Sequence, residues 1–134
     1  MADLNLEIVT PEKKVFDETV DTVTVPTASG EVGILPNHAP LISSLKPGIL
    51  TYSTKGATEK MVIAGGFVEV NSNKVSILAD VAERSDEIDT EAARHERELA
   101  EKVLNNWKGT EEELEVELEK LEKSQARLQL SAGK

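Results

Sequence analysis

Ser29-Gly30-Glu31-Val32-Gly33-Ile34-Leu35-Pro36-Asn37-His38-Ala39-Pro40 packs two glycines, two prolines and the first of two histidines between apolar, strand-like runs. Glycine reaches backbone angles closed to other residues, and proline fixes φ and lacks an amide hydrogen, so no regular helix runs through this stretch. A turn starting at Pro36 takes Asn37 out of helical geometry, and Pro40 restricts Ala39 in the same sense. The stretch reads as a built loop. On composition alone it is an ordinary connection between strands.

On both sides of it the hydrophobic pattern has a period of two. Leu4, Leu6 and Ile8 alternate with Asn5 and Glu7, Val23 and Val25 with Thr22 and Thr24, and Val75, Ile77, Ala79 and Val81 with Ser76, Leu78 and Asp80. These are half-buried strands. Turn signals separate them at Thr10-Pro11, Ser29-Gly30, Lys46-Pro47-Gly48, Lys55-Gly56, Gly65-Gly66 and Asn71-Ser72-Asn73, the punctuation of an antiparallel sandwich or barrel.

After Arg84 the period changes. Asp89 or Thr90 can cap a helix with Ala92, Leu99, Val103 and Trp107 on or near one face, and Gly109 is placed to end it. Thr110-Glu111-Glu112-Glu113 is a capping box for a second helix, whose Leu114, Leu118, Leu121 and Leu128 form a narrow apolar stripe. A two- or three-residue turn between them makes an antiparallel hairpin. The expected fold is α+β: an N-terminal antiparallel β-sandwich over residues 1–84 and a C-terminal antiparallel two-helix hairpin over 85–134. The hairpin stripe is too narrow to stand alone, so packing on the sandwich or on another protein completes it. Such an element suits a two-state arm.

The 134 residues leave room for one compact domain with an appendage, and aromatics are only 3% (Phe16, Tyr52, Phe67, Trp107). A net charge of -10 opposes nucleic acid and insertion into an anionic bilayer, and points to protein partners. The N-terminal Met1-Ala2-Asp3-Leu4 lacks the features of a signal peptide, and the expectation is a soluble chain that is not exported. With no cysteine, the chain has no disulfide or thiol switch. It carries no phosphate-loop motif, no nucleophile elbow and no metal-ligand spacing around His38 or His95, so neither a cofactor, a metal nor an enzymatic activity is expected. Arg94 and His95, among Glu91, Glu96 and Glu98, read as a solvated face. Lys120, Lys123 and Arg127 recur at spacings of three and four, a basic strip on an acidic element.

Several ordered motifs together carry a resemblance. Leu4-Asn5-Leu6-Glu7-Ile8-Val9-Thr10-Pro11-Glu12, the loop from Gly30 to Pro40, Gly65-Gly66-Phe67-Val68-Glu69-Val70 and Asp80-Val81-Ala82-Glu83-Arg84 resemble the epsilon subunit of the rotary F-type ATP synthase nearly end to end. Pro36-Asn37-His38-Ala39-Pro40 looks most like its cyanobacterial and chloroplast branch, with CF(1) and the thylakoid as its setting. The resemblance implies a non-catalytic rotor-stalk subunit whose sandwich binds the gamma subunit and the membrane c-ring, helping to couple proton flow to ATP synthesis. It implies that Glu31 and His38 face the c-ring and that Ala39, Leu41 and Ile42 face gamma. It also implies that the hairpin can extend into the catalytic alpha/beta head and restrain ATP hydrolysis. The basic strip of Lys120, Lys123 and Arg127 either pairs with Glu117, Glu119 and Glu122 on its own helix or meets acidic segments of that head and carries the inhibition. The resemblance places the protein on the cytoplasmic or stromal face of its membrane. Relatives that bind ATP on the folded hairpin carry an I/L-D-x-x-R-A motif. Here Ile88 and Asp89 are kept but Ala92 stands at the arginine position, and no nucleotide site is expected.

Overall fold

Alternation becomes strand wherever one face can be buried, and Leu4, Leu6 and Ile8, all fully buried, do this in β1 (Leu4–Val9). In the computed structural model, which describes residues 3–132, the same device repeats through nine more strands. The ends of both expected domains, residues 1, 2, 133 and 134, lie outside the described residues. One five-stranded sheet has the order β2-β1-β9-β8-β5, built with β2 (Lys14–Val20), β9 (Lys74–Leu78), β8 (Phe67–Asn71) and β5 (Leu41–Ser44). The other has the order β10-β7-β6-β3-β4, from β10 (Val81–Glu83), β7 (Ala57–Ala64), β6 (Gly48–Thr54), β3 (Thr22–Thr27) and β4 (Gly30–Ile34). The main core lies between them, with Leu6, Val25, Leu50, Ile63, Val68 and Ile77 fully buried.

The sandwich has one departure from antiparallel pairing. β1 and β9 run parallel, from Asn5 opposite Lys74 to Val9 opposite Leu78. Alternation fixes which face is buried and carries no strand direction; the β8–β9 hairpin aims β9, and β1 adds to its free edge. Half of the opening stretch is also strand rather than loop, because Gly30–Ile34 pairs with Val23–Thr27 in β4. Gly33 meets no crowding there, and the turn proper begins at Leu35.

Gly65 and Gly66 are the turn the sequence indicates, at φ +73 and +84. They carry the chain from one sheet to the other, and a Cβ on Gly66 would lie 1.7 Å from the Leu78 carbonyl oxygen. Only glycine fits at that approach.

The helices are α1 (Thr90–Asn105) and α2 (Glu111–Ala132). Asp89 caps α1, accepting from the Ala92 N–H at 3.0 Å, and the Glu113 N–H donates to Thr110 Oγ1 at 3.1 Å. α1 ends at Asn105 rather than near Gly109, so the connection is longer than the expected two or three residues. The expected face of α1 is displaced by one residue. Ala93 and Ala100 are buried, whereas Ala92, Leu99 and Val103 are exposed. In α2 the leucine stripe is only half-buried or exposed, and Ser124, Ala126, Leu130 and Ser131 are buried instead. Small side chains fit where elements approach closely, so the hairpin buries its alanines and serines and leaves longer apolar groups at the rim. Ala126 and Leu130 dock on Val62 and Ile49 of the sandwich together with Ile88, a second and much smaller cluster.

Candidate functional site

Two regions hold the residues singled out from the sequence: the turn after β4 and the seam between hairpin and sandwich. The turn is closed by the His38 N–H donating to the Leu35 carbonyl at 3.2 Å, and His38 Nδ1 lies 2.7 Å from the Ala39 carbonyl oxygen. Asn37 sits at φ +67, a region where asparagine is among the better tolerated residues. Its amide N–H donates to Asn73 Oδ1 at 2.6 Å, across to the β8–β9 turn.

Glu31 and His38 are not neighbours. Glu31 is an exposed strand residue opposite Pro26 near the start of β4, and three strand steps, about 10 Å at ~3.3 Å each, carry the chain from it to Ile34 before the turn begins. Glu31 borders an open cavity of about 350 Å³ between the second sheet and α2, with Lys46, Glu122, Gln125 and Gln129 on its rim. His38 lies beyond the opposite end of the strand.

Ala39 is exposed, Leu41 is half-buried against the core, and Ile42 is 72% exposed. Ile42 pairs with Glu69, Ser44 with Phe67, and Phe67 with Leu78, which sets these residues on the outer face of the first sheet. Phe67 and Leu78, 44% and 42% exposed, were missed by pattern reading. Their signal was present, since each is a large apolar residue at a position the alternation reserves for polar ones, beside Val68 and Ile77.

At the seam, Arg127 of α2 joins three elements. Its Nε and Nη2 donate to both carboxylate oxygens of Glu83 in β10 at 2.7 and 3.1 Å, and its Nη1 donates to Glu96 of α1 at 3.0 Å. The side chain is only 15% exposed. The basic strip is thereby divided in this conformation. Arg127 is committed to the clamp, Lys120 remains exposed and pairs with Glu117 at 3.2 Å, and Lys123 is half-buried.

The residues matching the nucleotide motif have structural occupations. Ile88 is buried in the docking cluster, Asp89 is the α1 cap, Ala92 supplies only its backbone N–H to that cap, and Arg94 pairs with Glu91. Among the described residues no group of three or more His, Asp or Glu is placed to hold a metal ion.

The comparisons agree with this architecture. The family described as ATP synthase, Delta/Epsilon chain, beta-sandwich domain matches residues 3–85. The chain is similar to the ATP synthase epsilon chain of Carboxydothermus hydrogenoformans, 54% identical over 105 residues covering 78% of each chain. It is also similar to that of Herpetosiphon aurantiacus, 44% identical over 128 residues covering 96% of this chain and 93% of the relative. Among solved structures, it is similar to a chain in the cryo-EM structure of the Euglena gracilis mitochondrial ATP synthase, OSCP/F1/c-ring in rotational state 1. That match has a TM-score of 0.80 at 30% identity over 96% of this chain and 82% of that one, so it takes in the helices as well as the sandwich. The bacterial relatives lie outside the cyanobacteria, and the cyanobacterial and chloroplast-like branch, with CF(1) and the thylakoid, is not supported. A five-residue motif shaped by turn geometry, with Asn37 at positive φ, reports a backbone requirement more than a lineage. With a sandwich of two sheets, a helical hairpin closed on it and relatives matched over most of its length, the chain belongs to the ATP synthase epsilon family.

Proposed function

We propose that this chain is a non-catalytic rotor-stalk subunit of a proton-driven ATP synthase, with the sandwich over 1–84 as its docking domain and the hairpin over 85–134 as a regulatory arm. The sandwich binds gamma and the c-ring, and the arm restrains ATP hydrolysis when it leaves the sandwich for the alpha/beta head. The contrast between the two cores carries this reading. The sandwich is closed by a core drawn from both sheets, whereas the hairpin is held to it by Val62, Ile88, Ala126 and Leu130 plus the Arg127 clamp. A unit attached so lightly can be released without unfolding its support.

Docking on gamma is supported by the exposed apolar group Ile42, Phe67 and Leu78 on the outer face of the first sheet, with Ala39 and Leu41 leading into it. Glu31 and His38, at opposite ends of β4, present two separate polar contacts to the c-ring. No helix among the described residues is long and apolar enough to cross a membrane, so the reading makes the c-ring the membrane attachment.

Crosslinking the arm to the sandwich tests the regulatory part. Cysteines at Val62 and Ala126, oxidised to hold the hairpin down, should leave gamma binding intact and raise ATP hydrolysis of the assembled synthase toward that of an arm-deleted form. Equal hydrolysis with the arm locked, free or deleted would remove the arm from regulation.

A further inference from the structure

Asn37 and Asn73 lie 36 residues apart, on turns that leave different sheets. The Asn37 backbone N–H donates to Asn73 Oδ1 at 2.6 Å, and Asn73 Nδ2 reaches Asn37 Oδ1 at 3.5 Å. Asn73 is itself fixed, because its carbonyl accepts from the Asn5 N–H at 2.8 Å. The first bond holds main chain rather than a side chain, so it sets the path of the turn that carries Leu35 and His38. The bond within the turn, His38 N–H to the Leu35 carbonyl, closes it but does not orient it against the sandwich.

We propose that Asn73 is a positioning residue for the His38 turn, holding it in its docking pose before its partner arrives. The proposal rests on the reading that this turn meets the c-ring. A loop already ordered in the free protein loses less conformational entropy on association, and affinity gains accordingly. Asn73 also occupies φ +63, which separates its two roles: the backbone angle suits the tight β8–β9 turn, and the side chain serves the other loop.

Two substitutions exploit that separation in the full-length chain. Asn73→Gly keeps the left-handed backbone and deletes the acceptor, whereas Asn73→Asp keeps an acceptor oxygen in a residue tolerated at that angle. The readouts are hydrogen exchange at the Asn37 amide in the free protein and the dissociation constant for c-ring-containing synthase membranes stripped of this subunit. His38→Ala is the control for the turn itself. For Asn73→Gly, exchange should accelerate roughly 10-fold and affinity fall roughly 3- to 10-fold, the range of one modest hydrogen bond. Asn73→Asp should restore both. Unchanged exchange at Asn37 in Asn73→Gly overturns the clamp. Faster exchange with unchanged affinity, while His38→Ala binds weakly, overturns the positioning role alone. Unchanged affinity in both Asn73→Gly and His38→Ala overturns the c-ring reading of the turn and the proposal with it.

Discussion

At Arg127 one side chain bridges a strand, a helix and its neighbouring helix, and under the proposed reading of the hairpin as a regulatory arm its effect should be opposite in sign to that of the lysines beside it. With the arm folded, Arg127 holds Glu83 and Glu96; removing it leaves two carboxylates facing each other across the seam. Arg127→Ala should weaken docking of the hairpin by about 2 kcal/mol, the scale of charge-assisted bonds at a partly exposed site. Hydrogen exchange of α2 amides should quicken while that of the sandwich does not. In the synthase, Arg127→Ala should therefore strengthen inhibition by freeing the arm, whereas Lys120→Ala with Lys123→Ala should relieve it, and raised ionic strength should mimic the lysine change by screening. Equal effects from both sets would mean that the clamp has no bearing on arm position. At the far edge of the first sheet, the hydrogen bond from Lys14, followed by that from Asn5, holds the Asp17 carboxyl below its ordinary value. A depressed carboxyl stabilises the fold above its unfolded pKa and loses that contribution as pH falls through the folded one. Lys14→Met should move the Asp17 titration, followed by NMR, back up toward the ordinary carboxylate value. The pair is exposed, so the shift should shrink in high salt.

Among the elements, the strands were readable because a half-buried strand writes its burial directly into a period of two, as Val75 and Ile77 do beside Ser76 and Leu78. The helices existed where capping residues placed them, and Asp89 and Thr110 both accept the expected amide. Their buried faces were not readable. A helix packed through Ala93 and Ala100 carries little hydrophobic contrast, and the larger Leu99 and Val103 pull the apparent face aside by one residue. Asp89→Ala should cost about 1 kcal/mol of α1 stability, seen as lost helical circular dichroism and fraying from Thr90 onward. Removing the chain after Arg84 should leave a folded, gamma-binding sandwich, because the main core is complete without the hairpin. It should be less stable by about 1.5–3 kcal/mol, the value of uncovering one aliphatic side chain the size of Val62. Loss of β-type circular dichroism in that fragment would make the hairpin part of the sandwich core.

For the whole molecule, a charge of -10 and the occupations of Asp89, Arg94 and Arg127 leave a phosphate little to bind. The isolated chain should bind ATP weakly or not at all by titration calorimetry, and a dissociation constant in the low micromolar range would show that a cation had been released from its ion pair to take the ligand. The sequence by itself determined the order of elements, the glycine turn at Gly65-Gly66 and the helix caps, because each is a local matter of backbone angle, periodicity or a hydrogen bond three residues away. Only the tertiary structure decided that β1 lies parallel to β9, that Glu31 and His38 stand at opposite ends of a strand, and that Arg127 answers to Glu83, 44 residues distant. The first and the last are contacts between segments remote in the chain, and the second follows from the pairing of Gly30–Ile34 with β3. No local period records them, since their partners are chosen by which surfaces meet once the two sheets have closed on their shared core.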